Sequence, residues 1–443
     1  MNRSRIYGVL LTVLVASILT TSSFSLAKPW PSIELPTVSG EVPFGVTKAW
    51  TFILYHDADN NLGTYAYDDL VEMMGVGSDN NVNVVVLYDT FGGPACAYFI
   101  PQYSGSGPMG GIPLDESTVG AARAYPMYGE EVNMGSAETL GDFLDYVYAN
   151  FKSDYYLLDI WDHGDDFRGA CKDYNTGVAG EVGFLYHRDA VPVIGSHQVD
   201  ILAFDACIEG MVEVAYDYKD VAKYLIGSED YVPYHGFPYD ALLSKLEAKP
   251  EQGPAEYSKA IVNEYMSEYL KPNGNGGGGY VEAFPTISAI DLTQVNDFVE
   301  KLNDFTGLLS SDMKGYGGLI ASSRAKSILN MPIYGWDADI DLYTFVSRVG
   351  ERAGGEVGLR AGEVLAYWNV AQGFIYSGRS HQYETKSAQG LGVFFPSSAG
   401  SVVHNSMTSA DYYFSREEGG DYTVPFAGTG WGDMIRTFLG LPS

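Results

Sequence analysis

The chain has 443 residues, of which 46% are hydrophobic and 14% aromatic, so it can bury a full core and is not a disordered acidic polymer. It carries 56 acidic residues against only 26 Lys and Arg, a formal net charge of −30. This shortage of basic residues argues against nucleic-acid binding and against docking on anionic lipid.

The N-terminus has the residue order of a secretory signal peptide. Arg3 and Arg5 precede an apolar run from Ile6 to about Leu19, and small residues lead to Ala27, after which we expect cleavage. The run is short for a membrane span, which needs about 20 residues, and an uncleaved anchor is the alternative. We therefore predict a secreted, extracellular protein with a signal peptide over 1–27 and no membrane attachment after its removal.

The next segments alternate between strands and helices. Residues 28–47 contain four prolines and predict a linker or pro-segment. The patterns beyond it predict strands at 51–55, 82–88, 95–101, 155–161, 199–204 and 224–228, with helices at 62–74, 136–151 and 207–219. This alternation is typical of an α/β fold whose mostly parallel sheet is covered by helices on both faces.

The second half of the chain is predicted to be richer in helices. Helices are expected at 254–270, 291–309, 339–350 and 358–372, strands at 285–290 and 390–396, and a glycine-rich loop at 273–279. We place a boundary near 310. It separates a main domain, 48–310, from a C-terminal α+β region, 311–443, packed on it.

Two residues that can carry nucleophilic chemistry follow predicted strands. His163 comes after 155–161 and Cys207 after 199–204, and the carboxyl ends of parallel strands form the edge where ligands bind. A helix starting at Cys207 would stabilise a thiolate, and its N–H groups, with that of Gly164, would bind an oxyanion. Taken singly, each residue has an ordinary alternative, a buried small Cys and a surface His.

The chain contains three cysteines, Cys96, Cys171 and Cys207, an odd number for an exported protein. At least one thiol is therefore unpaired within the chain. A disulfide between Cys96 and Cys171 would leave Cys207 free, but spacing does not decide this pairing.

The chain resembles the clostripain family of cysteine endopeptidases, which belongs to the clan of caspases, legumains and gingipains. The likeness runs from about residue 49 to beyond 396. It rests on the blocks FILYHDADNNL (52–62), NMGSAETLGDF (133–143), DIWDHGDDFRG (159–169), VDILAFDACIEGMVEVA (199–215), TISAIDL (286–292) and GLGVFFP (390–396).

The resemblance implies a caspase-like three-layer α/β/α sandwich and a role for each matching residue. Cys207 matches the nucleophile and His163 the histidine that protonates the leaving amine. The N–H groups of Gly164 and Cys207 match the oxyanion hole. Asp205 matches the acid at the floor of the S1 pocket, which implies protein or peptide substrates with Lys or Arg at the cleaved bond.

The chain departs from the family's pattern at two places. Gly164-Asp165-Asp166 replaces a run of glycines after the histidine. Gly236-Phe237-Pro238-Tyr239 has a proline where relatives carry an acid, so a second S1 acid is not predicted. The resemblance also implies a zymogen cut between the two blocks, and we name Arg168 and Lys172 as candidate processing sites.

No cofactor is required by the sequence, and we expect a monomer. The turn Asp57–Asn61 starts like an EF-hand loop but lacks its glycine and final Glu, so it predicts a turn and helix cap; calcium stays open from the resemblance alone. No spacing predicts a zinc site, and no metal ligand is assigned. His56 and His235 are weaker candidate histidines.

The sequence also allows two other function classes. One is a secreted surface protein that uses the fold for binding without turnover. The other is a glycan hydrolase with paired carboxylates among Asp57, Asp59, Asp165 and Asp166.

Overall fold

A nine-stranded sheet forms the centre of the protein in the computed structural model, which describes residues 33–270, 285–329, 338–369, 374–379, 388–399, 402–403, 407–408, 413–414 and 424–442. The predicted signal peptide and the glycine-rich loop 273–279 lie outside the described residues. Within these ranges, no helix is long and apolar enough to cross a membrane.

The strands follow the predicted alternation with helices and add several short ones. They are β1 (Lys48–Ala58), β2 (Val82–Thr90), β3 (Cys96–Phe99), β4 (Ile112–Pro113), β5 (Ser153–Trp161), β6 (Gly169–Ala170), β7 (Leu185–Tyr186), β8 (Ile201–Asp205), β9 (Tyr224–Gly227), β10 (Thr286–Asp291), β11 (Asp339–Asp341), β12 (Ile375–Arg379), β13 (Gly392–Phe394), β14 (Val402–Val403) and β15 (Met407–Thr408).

The central sheet has the order β12-β10-β9-β8-β5-β1-β2-β3-β4. Its middle strands, β2, β1, β5, β8 and β9, are parallel, and the outer strands pair antiparallel to their neighbours. The strands β6–β7, β11–β13 and β14–β15 form separate two-stranded ladders.

The helices cover both faces of the sheet. They are α1 (Gly63–Val76), α2 (Glu116–Val119), α3 (Ala137–Asn150), α4 (His187–Gly195), α5 (Val212–Tyr218), α6 (Tyr239–Ala248), α7 (Pro254–Leu270), α8 (Val295–Ser311), α9 (Met313–Arg324), α10 (Leu342–Ala353), α11 (Gly355–Leu365) and α12 (Gly430–Leu439). One core holds side chains of α3, α4, α5, α8 and α10 to α12, and the other those of α1, α6 and α7. The predicted three-layer α/β/α sandwich is confirmed.

Alternation along β1 explains why two cores form. Ile53 and Tyr55 point into the first core, while Phe52 and Leu54 point into the second, because successive side chains of a strand face opposite sides. All four are essentially inaccessible to solvent. A strand buried on both faces reads as a continuous apolar run, as this one does.

The region beyond residue 310 shares this architecture. The predicted boundary lies at the C-terminal end of α8, and β12, which comes later in the chain, pairs with β10 in the central sheet. The predicted strand 390–396 is present as the shorter β13, which pairs with β11 outside the central sheet. The helix expected from 339 therefore begins only at Leu342.

Candidate active site

The parallel pairing of β5 with β8 brings His163 and Cys207 to one edge of the sheet. Trp161 is the register partner of Asp205, and His163 and Cys207 each lie two residues farther on. The two segments touch, because a Cβ placed on Gly164 would lie 2.0 Å from the Cys207 carbonyl oxygen. Cys207 is a free cysteine, and the residue as a whole is partly buried. The structure thus brings the segments that carry the two predicted residues into contact at one edge of the sheet.

The helix predicted to begin at Cys207 does not do so. Helix α5 begins at Val212, so the Cys207 thiol does not lie at a helix N-terminus. Ile208, the next residue, has a φ of +61°, a left-handed conformation that is unfavourable for a β-branched side chain. The thiol therefore lies at a sharp turn. The apolar pattern of this segment did not predict that turn.

Burial sets the charge of both groups. It raises the pKa of Cys207 to about 12, with nearby Asp230, Asp205 and Glu209 adding to the effect. It lowers the pKa of His163 to about 4, with a smaller contribution from the positive charge of Lys172. These pKa values favour a thiol and a neutral imidazole at neutral pH, and the expected stabilisation of a thiolate by a helix N-terminus is absent.

We predict that alkylation of Cys207 in the free protein keeps accelerating with pH. Because only the thiolate reacts and its pKa is about 12, the rate should rise about tenfold per pH unit from pH 7 to 9. The measurement is iodoacetamide labelling followed by peptide mass spectrometry, in a Cys96→Ala background that removes the other partly buried cysteine. A plateau near pH 7 would show a stabilised thiolate and contradict the neutral pair.

Asn61 holds the imidazole of His163. Its Oδ1 lies 3.0 Å from His163 Nε2 and also accepts a hydrogen bond from the Tyr174 hydroxyl at 3.0 Å. An amide oxygen only accepts, so Nε2 carries the proton and Nδ1 has the free lone pair. Asn61 belongs to a matching sequence block, but the sequence assigned no role to it or to Tyr174.

A buried contact between Glu209 and His187 lies beside the loop that carries Gly164. Glu209 and His187 are both buried, with Oε2 and Nε2 3.0 Å apart. A Cβ on Gly164 would also come within 2.7 Å of Glu209 Oε1. The pKa of His187 is raised even though burial, the largest single effect, lowers it, because Glu209 favours the charged imidazolium.

We predict that Gly164→Ala reduces kcat/KM at least about 100-fold, the scale of losing one oxyanion donor. The added methyl group would overlap the Cys207 carbonyl oxygen and push the two segments apart. Gly253→Ala is the control, since its Cβ would have no atom within 4 Å. Steady-state kinetics with thermal unfolding separates lost geometry from lost folding, and a folded Gly164→Ala enzyme with normal rates would contradict the contact.

Asp205 is the last residue of β8, and its carboxyl group is buried with one oxygen that makes no hydrogen bond. Its Oδ2 accepts hydrogen bonds from Phe237 N–H at 2.7 Å and the Tyr239 hydroxyl at 3.1 Å, whereas Oδ1 has no partner. Burial, followed by repulsion from Asp159, raises its pKa well above the usual range. The segment from Gly236 to Tyr239 therefore packs directly on Asp205.

A second buried carboxyl group, that of Asp69 in helix α1, interacts with Asp205. Asp69 in α1 is 2% exposed, and its Oδ2 has no hydrogen-bond partner. Burial raises its pKa, and the next largest contribution is repulsion from Asp205. The sequence suggested a second acid only near Pro238, so Asp69 was not predicted. Helical spacing alone does not distinguish Asp69 from the other polar residues of α1.

The predicted processing sites are partly buried. Arg168 pairs with Asp165 at 2.5 Å and packs over the ring of Phe184, and Lys172 donates its backbone N–H to Asp162. The most exposed stretch between the two blocks, 177–182, contains no Lys or Arg.

The other two cysteines are unpaired, and the two weaker candidate histidines pack against aromatic rings. Cys96 and Cys171 are both free, so the disulfide left open by the sequence is not formed. His56 is fully buried with its ring centroid 4.5 Å from that of Trp161, and burial lowers its pKa to about 3. His235 packs edge-on against Tyr65.

The acidic turn after β1 is present, with Asn60 Oδ1 accepting the Leu62 N–H at 2.8 Å. The N-cap of α1 is Leu62 itself, whose side chain makes no capping bond, so the predicted helix cap is wrong. The carboxylates of Asp59, Asp89 and Asp173 meet behind this turn, although the sequence assigned no metal ligands. Oxygen groups of this kind fit a hard cation.

Known proteins are similar to this chain in sequence and in fold. A sequence model described as the Clostripain family matches residues 54–411. Clostripain from Hathewaya histolytica is 27% identical over 286 residues, covering 56% of this chain and 53% of that protein. The chain therefore spans about half the length of this curated relative.

Two solved structures have the same architecture. One is a secreted C11 cysteine protease from Bacteroides thetaiotaomicron in complex with an irreversible peptide inhibitor, with a TM-score of 0.61 and 18% identity over 83% of this chain and 96% of that chain. The other is an inactive zymogen C11 protease from Parabacteroides distasonis, with a TM-score of 0.57 and 20% identity over 79% and 93%. The fold is thus caspase-like, and the family match over most of the sequence shows that the chain belongs to the clostripain family of cysteine peptidases.

Proposed function

We propose that this chain is a secreted cysteine endopeptidase that cuts peptide bonds after Lys or Arg. The observation that carries the proposal is the contact between the Gly164 and Cys207 segments beyond two neighbouring parallel strands. This contact supports a mechanism in which Cys207 is the nucleophile and His163 carries the proton at the same peptide bond. The described residues offer this chemistry without a cofactor.

In the proposed reaction, Cys207 Sγ attacks the carbonyl carbon of the scissile bond as its proton is transferred to the imidazole of His163. Transfer during attack suits a pair that is neutral at rest, since His163 has a pKa near 4 and Cys207 near 12. The oxyanion would be stabilised by the N–H groups of Gly164 and Cys207. His163 then gives the proton to the leaving amine, and water hydrolyses the acyl-enzyme.

The preference for basic residues rests on Asp205. Its free Oδ1 is an acceptor for the ammonium or guanidinium group of the residue before the scissile bond. An uncharged side chain would leave that oxygen unpaired, which lowers its relative rate. Asp69 adds a second negative charge when ionised, and it replaces the acid that Pro238 does not supply.

We also propose that the enzyme is exported, acts as a monomer and is made as a zymogen. The predicted signal peptide and the relative described as secreted support export, and the relative described as an inactive zymogen supports activation by cleavage. Arg168 and Lys172 stay the proposed cleavage sites, and their partial burial means that the loop must open before it is cut.

The proposal is tested with fluorogenic peptides that differ only in the residue before the scissile bond. We expect release of aminomethylcoumarin from Lys and Arg substrates and little from Ala, Leu or Glu substrates. Turnover of none of them, together with no labelling of Cys207 by iodoacetamide at pH 9, would contradict the peptidase and favour a binding protein on the same fold.

A further inference from the structure

Tyr174 lies in the segment between the His and Cys blocks and contacts the side chain that holds the candidate histidine. Its hydroxyl donates a hydrogen bond to Asn61 Oδ1 at 3.0 Å, and the same oxygen lies 3.0 Å from His163 Nε2. The Tyr174 residue is 38% exposed, so its ring lies at the protein surface. The three side chains therefore form one row of hydrogen bonds that ends at the imidazole.

Two further contacts fix the position of Tyr174. Its backbone N–H donates to the carbonyl oxygen of Asp59 at 2.9 Å, two residues before Asn61 in the sequence. Lys172 Nζ lies 5.6 Å from the centre of the Tyr174 ring, within the range of a cation–π contact. Because the tyrosine is held at its backbone and at its ring, its hydroxyl has a defined position relative to Asn61.

The imidazole of His163 depends on the position of the Asn61 amide. An amide oxygen has two lone pairs, and in Asn61 these face His163 Nε2 and the Tyr174 hydroxyl. With both contacts made, the oxygen faces the imidazole, which keeps the proton on Nε2 and the lone pair on Nδ1. The proposed reaction needs that lone pair, because the imidazole must first accept the proton of Cys207.

We propose that Tyr174 is a positioning residue for His163 and acts through Asn61. The inference rests on the proposed function, because it gives Tyr174 a role in the proton transfer between Cys207 and His163. Without the hydroxyl, Asn61 can rotate and water can replace its oxygen beside Nε2. The imidazole is then correctly placed in a smaller fraction of molecules, so the chemical step slows while substrate binding is unchanged.

The kinetic test is Tyr174→Phe, which removes one hydroxyl and keeps the ring. We expect kcat for a Lys or Arg aminomethylcoumarin peptide to fall about tenfold, the rate equivalent of one neutral hydrogen bond, with KM within about twofold of wild type. Tm should change little, because the hydroxyl belongs to a surface residue. A raised KM at unchanged kcat would make Tyr174 a substrate contact, and unchanged kcat and KM would leave it without a role; either result overturns the proposal.

Tyr376→Phe is the matched control. The Tyr376 hydroxyl donates to Asn263 Oδ1 at 2.8 Å, and Lys259 Nζ lies 5.8 Å from the centre of the ring, so its partners are of the same types as those of Tyr174. Tyr376 lies on β12, the edge strand of the central sheet. Its replacement should leave kcat within about twofold of wild type. A loss in Tyr376→Phe equal to that in Tyr174→Phe would overturn the proposal.

A double variant tests whether Tyr174 acts through Asn61. In an Asn61→Ala background, Tyr174→Phe should change kcat by less than about twofold, because the hydroxyl no longer has an amide to hold. A further loss as large as that in the wild-type background would show that Tyr174 acts by another route and would contradict the proposal.

Nitrogen-15 NMR of histidine gives a readout that needs no turnover. The sample is the full mature chain with Cys207→Ala and labelled histidine, and His163→Gln identifies the His163 signal. We expect the Nε2–H tautomer of His163 in this parent, a mixture of tautomers in Tyr174→Phe and no change in Tyr376→Phe.

The NMR result separates this inference from the proposed function. An identical His163 signal in the parent and in Tyr174→Phe would overturn the positioning role. A changed signal in Tyr174→Phe, together with a wild type that cleaves no peptide, would contradict the proposed function and support the hold of Tyr174 on His163.

Discussion

Cys207→Ala should lower kcat/KM for Lys and Arg peptides by at least about 10³-fold, because loss of a nucleophile removes the covalent route altogether. Tm should change little, since the substitution removes only a sulfur atom. The measurement is hydrolysis of aminomethylcoumarin peptides by purified, fully folded protein.

Cys96→Ala is the matched control for Cys207→Ala. Cys96 is also a free, partly buried cysteine, but it lies on β3 near the far edge of the sheet. Its replacement should leave kcat/KM within about twofold, in the range of a neutral surface change.

A reducing gel gives a second test of Cys207. We expect two fragments in the wild type and one band in Cys207→Ala. Equal rates for wild type and Cys207→Ala would exclude Cys207 as the nucleophile.

Asp205→Asn should lower kcat/KM for Lys and Arg substrates about 100-fold or more, the scale of losing a buried partner for a substrate charge. The change keeps the shape of the side chain and removes only its negative charge. Substrates with an uncharged residue at the same position should lose much less, so the ratio of basic to uncharged rates falls. The experiment measures both substrate classes in parallel.

The pH dependence of that ratio gives an independent test of Asp205. Because burial raises its pKa, the carboxyl group is neutral at low pH and becomes able to bind a cation only as pH rises through the raised value. In the wild type, the preference for basic over uncharged substrates should therefore increase with pH. In Asp205→Asn this increase should disappear.

Asp159→Asn is the control for Asp205→Asn. Asp159 is the buried neighbour of Asp205 in the sheet, but both of its oxygens already accept hydrogen bonds, one from Asp205 N–H at 3.2 Å and one from the Tyr239 hydroxyl at 2.9 Å. Because repulsion from Asp159 contributes to the raised pKa of Asp205, replacement of Asp159 should move the rise in preference for basic substrates to lower pH without abolishing that preference. A loss of selectivity in Asp159→Asn equal to that in Asp205→Asn would contradict the assignment of Asp205 as the contact to the basic side chain.

Much of the fold was predictable because local patterns and tertiary packing agree. The helix predicted over 254–270 has those bounds, and Ser136 caps α3 by accepting the Glu138 N–H at 3.2 Å. The start of α5 was not predictable. The apolar spacing continues back to Cys207, but Gly210 packs so tightly on the backbone of the 227–229 segment that a Cβ would lie 2.7 Å from Glu229 N. That constraint comes from β9, which lies elsewhere in the sequence.

The sequence by itself determined the family and the positions of His163 and Cys207 at one sheet edge, because residues that follow parallel strands meet there whatever the details of packing. Only the tertiary structure decided the protonation states of these two residues and the contacts that hold them in place. The pKa values of the pair, the hold of Asn61 on His163 and the meeting of Asp59 with Asp89 and Asp173 depend on burial and on contacts between distant segments. Desolvation depends on all the atoms that surround a group in the folded protein, so it cannot be predicted from the neighbouring residues in the sequence.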